Sequence, residues 1–218
     1  MGPDETPEPA GGAPSADPTT ATALRVLLVY ATRHGSTREV ANAVAEELRA
    51  AGHKVDQRLA AEAPGPMGYD AVVVGGPMIM GWHRQAVRFV ANHRKELAQL
   101  PLAFFITAAS LTDCGESDVQ GVPIVKDPWL AKAPRNATKL RYRERYARPD
   151  HYLASVLKKS SPARPRSVAF FAGSLDLTTM NVFEKLFVLL VVGATPGDGR
   201  NWKAIREWGA ELGEVLQA

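Results

Sequence analysis

The sequence predicts an α/β domain built on a doubly wound, five-stranded parallel sheet with helices on both faces. Three observations carry this. Apolar runs of five to eight residues recur along the chain, and such runs read as strands buried on both faces. Segments of helical periodicity separate them. Strand–helix alternation implies a parallel sheet with right-handed crossovers, whose ligands sit beyond the carboxyl ends of the strands, at the switch point.

Each element follows in order. Leu24–Ala31 (LRVLLVYA) is the first strand. Val40, Ala41, Val44, Ala45 and Leu48 mark the first helix, which Gly52 stops. Lys54–Leu59 is a weaker second strand, and Ala71–Gly75 (AVVVG) a buried third. Residues 84–98 read as one helix with Val87, Val90 and Leu97 facing inward. Leu102–Thr107 (LAFFIT) is the fourth strand and Ser167–Gly173 (SVAFFAG) the fifth. A helix covers His151–Lys159. A final helix from about Trp202 to Leu216 places Trp202, Ile205, Trp208, Leu212 and Val215 on one face.

Between the fourth strand and the His151 helix, residues 108–150 lack clean periodicity. The gap exceeds an ordinary loop, which points to a functional insert or partial disorder. Val182–Val192 is intensely apolar but too short to span a bilayer. It reads as a buried helix or as an apolar patch for a membrane surface or partner subunit.

Composition sets wide bounds. The 218 residues are 45% hydrophobic and 22% charged, with a net charge of +3, the profile of a globular protein. The single Cys114 excludes a disulfide framework and a multi-cysteine metal site within one chain, and no metal site is expected. The net charge is a composite. Residues 1–23 hold Asp4, Glu5, Glu8 and Asp17 with no Lys or Arg, whereas residues 126–150 hold eight basic residues against three acidic ones. The acidic, Pro/Gly-rich segment 1–23 is expected to be a disordered tail ahead of one domain at 24–218. It lacks the basic start and apolar run of a secretory signal, so the expected location is the cytoplasm.

Chemistry concentrates in three loops. Tyr30-Ala31-Thr32-Arg33-His34-Gly35-Ser36-Thr37 joins the first strand to the first helix. Its hydroxyls, a glycine permitting close backbone approach, and a helix N-terminus make a phosphate cradle. A well-capped helix start is the other reading, because Ser36 and Glu39 have capping-box spacing. No Gly-Lys-Ser/Thr triphosphate loop or three-glycine dinucleotide motif is present.

The run Leu28-Val29-Tyr30-x-Thr32-x-x-Gly35-x-Thr37-x-x-x-Ala41-x-x-Val44 resembles the flavodoxin signature at every fixed position. That resemblance implies a flavodoxin-like fold with strand order 2-1-3-4-5 and FMN as cofactor. It implies that Thr32, Arg33, His34, Gly35, Ser36 and Thr37 bind the FMN phosphate. The loop after the third strand, with Met78, Ile79, Met80, Gly81 and Trp82, would cover the isoalloxazine ring. Trp82 reads equally as a core residue. His83 is a weak catalytic candidate, and a structural role suits it as well. Thr107, Ala108, Ala109 and Ser110 after the fourth strand would meet the pyrimidine edge.

The order of the later segments, with Gly75-x-Pro77-Met78-Ile79-Met80-Gly81-x-His83 in the middle, is similar to the menaquinone-dependent protoporphyrinogen oxidase (dehydrogenase) family. The resemblance implies porphyrinogen oxidation with a quinone acceptor, in haem biosynthesis. Flavodoxin-type electron transfer and NAD(P)H:quinone reduction on the same fold are the rival functions. Arg141, Arg143 and Arg145, interleaved with Tyr142 and Tyr146, form a cationic, aromatic surface suited to porphyrin propionates or to anionic lipid at a peripheral membrane contact. A solvated loop is the other reading. No nucleic-acid motif accompanies the patch. Self-association of the chain into a homo-oligomer is a further expectation.

Overall fold

The computed structural model describes residues 22–79, 81–175 and 197–218. Most of the expected acidic tail (residues 1–21), Met80 and the apolar segment 182–192 lie outside the described residues.

The predicted strands form one sheet. β1 (Arg25–Tyr30), β2 (Lys54–Leu59), β3 (Ala71–Met78), β4 (Leu102–Ala108) and β9 (Ser167–Ala172) stand in the order β2-β1-β3-β4-β9. Every pairing among them is parallel. The apolar runs are unbroken because both faces are covered. Val26, Leu28 and Tyr30 of β1 join one core, and Leu27 and Val29 join the other. Side chains alternate across a strand, so a doubly covered strand needs apolar residues at every position.

Helices α1 (Ser36–Ala50) and α6 (Trp202–Gln217) cover the first face. They approach closely at Gly209, where an added Cβ would lie 3.0 Å from Glu47 Cβ. Trp208 lies under this pair, its Nε1 donating to Ser167 Oγ at 3.1 Å. Trp202, expected on the same buried face, is instead exposed and lies beneath the Arg200 guanidinium, 4.5 Å from the ring centroid. Val215 is only partly buried.

The opposite face carries α2 (Arg84–Asn92), the short α3 (Arg94–Leu97) and α5 (Pro149–Ser160). The single helix expected over 84–98 breaks at His93, whose ring instead packs 4.9 Å from that of Phe89.

The insert is built rather than loose. It comprises β5 (Leu111–Thr112), β6 (Asp118–Val119), β7 (Val122–Lys126), β8 (Ala131–Lys132) and α4 (Tyr142–Tyr146). β7 pairs parallel with β9, and β6 pairs antiparallel with β7, so the described sheet has seven strands rather than five. Val122 and Ile124 are buried while Pro123 and Val125 are exposed. That short alternation is the pattern of a strand covered on one face, and it is too brief to stand out within a long polar segment.

Candidate functional site

A cleft of about 590 Å³ opens at the carboxyl ends of β1, β3, β4 and β9. This is the switch point, where the chain runs outward from β1 to β2 on one side and to β3 on the other. Its volume lies in the range of small-molecule sites.

The first wall is the β1–α1 loop. Thr32 Oγ1 accepts from Gly35 N at 2.9 Å, and Gly35 adopts φ +90°, folding the chain into α1. No described side chain caps α1, so the expected Ser36–Glu39 capping box does not form. Glu39 is drawn away by Arg200, whose Nη1 lies 2.8 Å from Glu39 Oε2 and also reaches Ser36 O. An uncapped helix start keeps its first N–H groups for a ligand. Arg33, His34, Ser36 and Thr37 border the cleft. Thr37 is buried, its hydroxyl 3.1 Å from that of Thr107.

The second wall follows β3. Pro77, Met78 and Ile79 line the cleft. Ile79 N donates to Gly81 O, and Gly81 takes φ +120° to close this turn. Trp82 does not face the cleft. It is buried, donates from Nε1 to Gly76 O at 3.1 Å, and packs 5.1 Å from the Phe104 ring. Of its two sequence readings, the indole takes the core one. His83 also stands away from the cleft lining. It caps α2, its Nδ1 accepting from Gln85 N at 3.3 Å. Burial, helped by the charge of Arg33, lowers its pKa and favours the neutral ring.

The third wall is Thr107, Ala108, Ala109 and Ser110, all at the cleft. Tyr152 OH donates to Ser110 O at 3.2 Å, tying this loop to α5.

Two further walls escaped the sequence reading. Gly173 and Ser174 follow β9, and β10 (Ser174–Leu175) pairs antiparallel with β11 (Gly197–Asp198). Asp198 holds Arg200 through its Nε at 2.7 Å. The insert supplies the other wall, with Trp129, Leu130, Lys132, Arg135 and Glu144. Asp127 anchors it from a buried position. Its carboxylate accepts from Trp129 N at 2.9 Å, Asn201 Nδ2 at 3.0 Å and Ala172 N at 3.2 Å. Glu144 gathers the amides of Arg135 (3.0 Å) and Arg141 (2.7 Å), which lowers its pKa and keeps it ionised.

Arg141, Arg143 and Arg145, the sequence candidates for substrate contact, stand at α4 outside the cleft lining. The lysine and arginines that border the cleft are Arg33, Lys132 and Arg135. The Gly197-Asp198-Gly199-Arg200 turn was a signal available in the sequence, since paired glycines around a charged residue mark a tight loop.

The residues present fit a flavin mononucleotide. One end of the cleft offers hydroxyls, a helix N-terminus and a cation, suited to a terminal phosphate. The middle offers the apolar surface of Met78, Ile79, Leu111 and Leu130. The backbone at 107–110 supplies polar groups at the far side.

The architecture and the site define a flavodoxin-type flavin domain. The chain belongs to the flavodoxin domain family, whose model matches residues 27–200. Membership indicates FMN binding, and with it a flavin-binding oxidoreductase or electron-transfer protein.

Among curated proteins, the chain is similar to protoporphyrinogen IX dehydrogenase [quinone] of Escherichia coli K12. The two are 34% identical over 87 residues, covering 38% of this chain and 47% of the relative. The chain thus spans about half the length of the curated relatives it matches. Among solved structures, it resembles the two-electron reduced flavodoxin of Megasphaera elsdenii, with 13% identity, TM-score 0.45, and 85% and 98% of the two chains covered. Oxidised flavodoxin 1 of Bacillus cereus has 11% identity and TM-score 0.44, with 88% and 96% covered. Among the described residues no helix is long and apolar enough to cross a membrane.

Proposed function

We propose that this chain is an FMN-dependent oxidoreductase that oxidises protoporphyrinogen IX and uses a quinone as acceptor. The observation that carries this reading is the insert wall. Trp129, 63% exposed, stands with Lys132 and Arg135 on the border of the flavin cleft. A protein that only relays electrons needs no such wall, whereas a planar substrate bearing carboxylates does. Arg135 and Lys132 would hold propionates, the former by paired N–H···O bonds. Trp129 would lie against the macrocycle. The partial likeness to protoporphyrinogen IX dehydrogenase supports the same substrate.

In this reading Thr32, Arg33, His34, Gly35, Ser36 and Thr37 hold the FMN phosphate. Met78 and Ile79 orient the ring, Gly81 closing their turn from outside the cleft lining, and the loop 107–110 meets its polar edge. The isoalloxazine ring supplies the redox chemistry when bound, and the protein supplies anchoring, orientation and electrostatics. A peripheral membrane contact belongs to the same proposal, supported by the exposed Tyr142 beside Arg141 and Arg145.

The test is a substrate comparison under anaerobic conditions with FMN-loaded protein. Porphyrinogen with a soluble quinone is expected to be consumed, giving porphyrin fluorescence. Rapid flavin bleaching by NAD(P)H with no porphyrinogen turnover would place the chain with the quinone reductases instead. Failure of both donors would leave an electron carrier.

A further inference from the structure

A second cavity, of about 340 Å³, lies behind the flavin cleft between the β3–α2 loop and helices α4 and α5. Its apolar lining is Met78, Trp82, Val87 and Val156. The aromatic wall is Tyr146 and Tyr152, whose rings meet edge to face at 6.1 Å. Its polar rim is His151, Ser155 and Lys159, all exposed on α5.

The partition between the two spaces is thin. Met78 lines both. The turn beyond it presents Ile79 to the cleft and Gly81 to the second cavity. Tyr152, a wall of the second cavity, donates its hydroxyl to Ser110 O in the third flavin loop. A ligand in the second cavity would therefore press on two of the three loops that shape the cleft.

We propose that this cavity is the docking site of the quinone, separate from the cleft that takes FMN and the porphyrinogen. Its chemistry suits a planar ring with carbonyl oxygens. Tyr146 and Trp82 offer aromatic surface for the ring. His151, the Ser155 hydroxyl and the Lys159 ammonium offer donors at the rim for the carbonyls. The volume falls within the range of small-molecule pockets. The assignment rests on the reading of a quinone as acceptor, and it adds a place where donor and acceptor bind without excluding one another.

The test is titration of the FMN-loaded full chain with 2-methyl-1,4-naphthoquinone, followed by methyl NMR. Saturable shifts are expected at Met78, Val87 and Val156, with smaller ones at Ala109 and Ile79. Shifts confined to Ala108, Ala109 and Ile79 would overturn the proposal by placing the quinone in the flavin cleft. Absence of saturable binding would overturn it as well. Ser155→Trp, on the exposed face of α5, should fill the rim and weaken quinone binding at least tenfold, with FMN affinity unchanged. Ser155→Leu serves the same comparison if the larger ring disturbs folding. Unchanged quinone affinity in the folded variant would overturn the site. Quinone binding in this cavity without porphyrinogen oxidation would refute the substrate reading and leave the site standing.

Discussion

The hydroxyls of Thr37 and Thr107 lie 3.1 Å apart, and both residues are buried. This contact joins the first turn of α1 to the end of β4, and so fixes two walls of the cleft against each other. Thr37→Ala leaves the Thr107 hydroxyl without this partner. Loss of a buried hydrogen bond costs about 1–3 kcal/mol when one partner is stranded. Urea unfolding should show that loss, and flavin fluorescence titration should show FMN binding weakened by about tenfold or more, the equivalent of 1.4 kcal/mol. Unchanged values in both would remove Thr37 from the phosphate loop.

Gly35 carries φ +90° and has open space where a Cβ would stand. Its requirement is thus conformational, not steric crowding. Gly35→Ala should cost about 1–2 kcal/mol, the usual penalty for a left-handed L-residue. Gly35→Asn should cost less, because Asn tolerates that region. Gly35→Asp should weaken FMN binding further than Gly35→Ala by adding negative charge beside the phosphate. The order of FMN dissociation constants across the three variants checks this.

Asp127 is expected to control the insert. Asp127→Ala strands the Ala172 amide and the Asn201 side chain in a buried setting and frees the half-buried Trp129 amide. The loss should be about 3 kcal/mol or more, as for other broken buried polar networks. Asp127→Asn keeps the shape and one acceptor oxygen, and should be milder. Equilibrium unfolding gives the totals. Faster amide exchange at Ala172 and Trp129 would localise the effect.

Acid should weaken the fold through His53. Its ring is buried, and its Nδ1 accepts from Leu24 N at 3.2 Å. Burial lowers its pKa below the usual 6.5, so the folded state binds fewer protons than the unfolded one just below that pH. The contribution is complete above about pH 6.5 and is lost as pH falls toward the lowered folded value. His83, also lowered, acts with the same sign. Unfolding free energies from pH 7.5 to 5 should decline, and His53→Gln should flatten the decline. The depressed carboxylates Asp113 and Asp198 act only at lower pH.

The strands at Arg25–Tyr30, Ala71–Met78, Leu102–Ala108 and Ser167–Ala172 were legible because burial on both faces leaves a mark at each residue. The turn from β1 into α1 was legible for a related reason. A strand end, a left-handed glycine and a helix start lie within eight residues, so their chemistry is written locally. Ser36 and Glu39 show the limit of local reading. Their spacing suits a capping box, yet Arg200 claims Glu39 from 161 residues away. Trp82 shows another. Pro77, Met78 and Ile79 just before it line the cleft, but Trp82 turns into the core, where Gly76 leaves room for the indole.

Local pattern and motif were enough for a doubly covered sheet and the flavodoxin-type loop after β1, because those depend on residues a few positions apart. The rest of the cleft depends on contacts between distant segments. Asp127 meets Asn201 across 74 residues, and Ser174 pairs with Asp198 in β10 and β11. Charge counting drew attention to Arg141, Arg143 and Arg145, but the path of the chain put Trp129, Lys132 and Arg135 at the cleft instead. Composition records which groups a segment holds. Where they point depends on the buried carboxylate and sheet pairing that hold the segment, and those form only when the whole chain has folded.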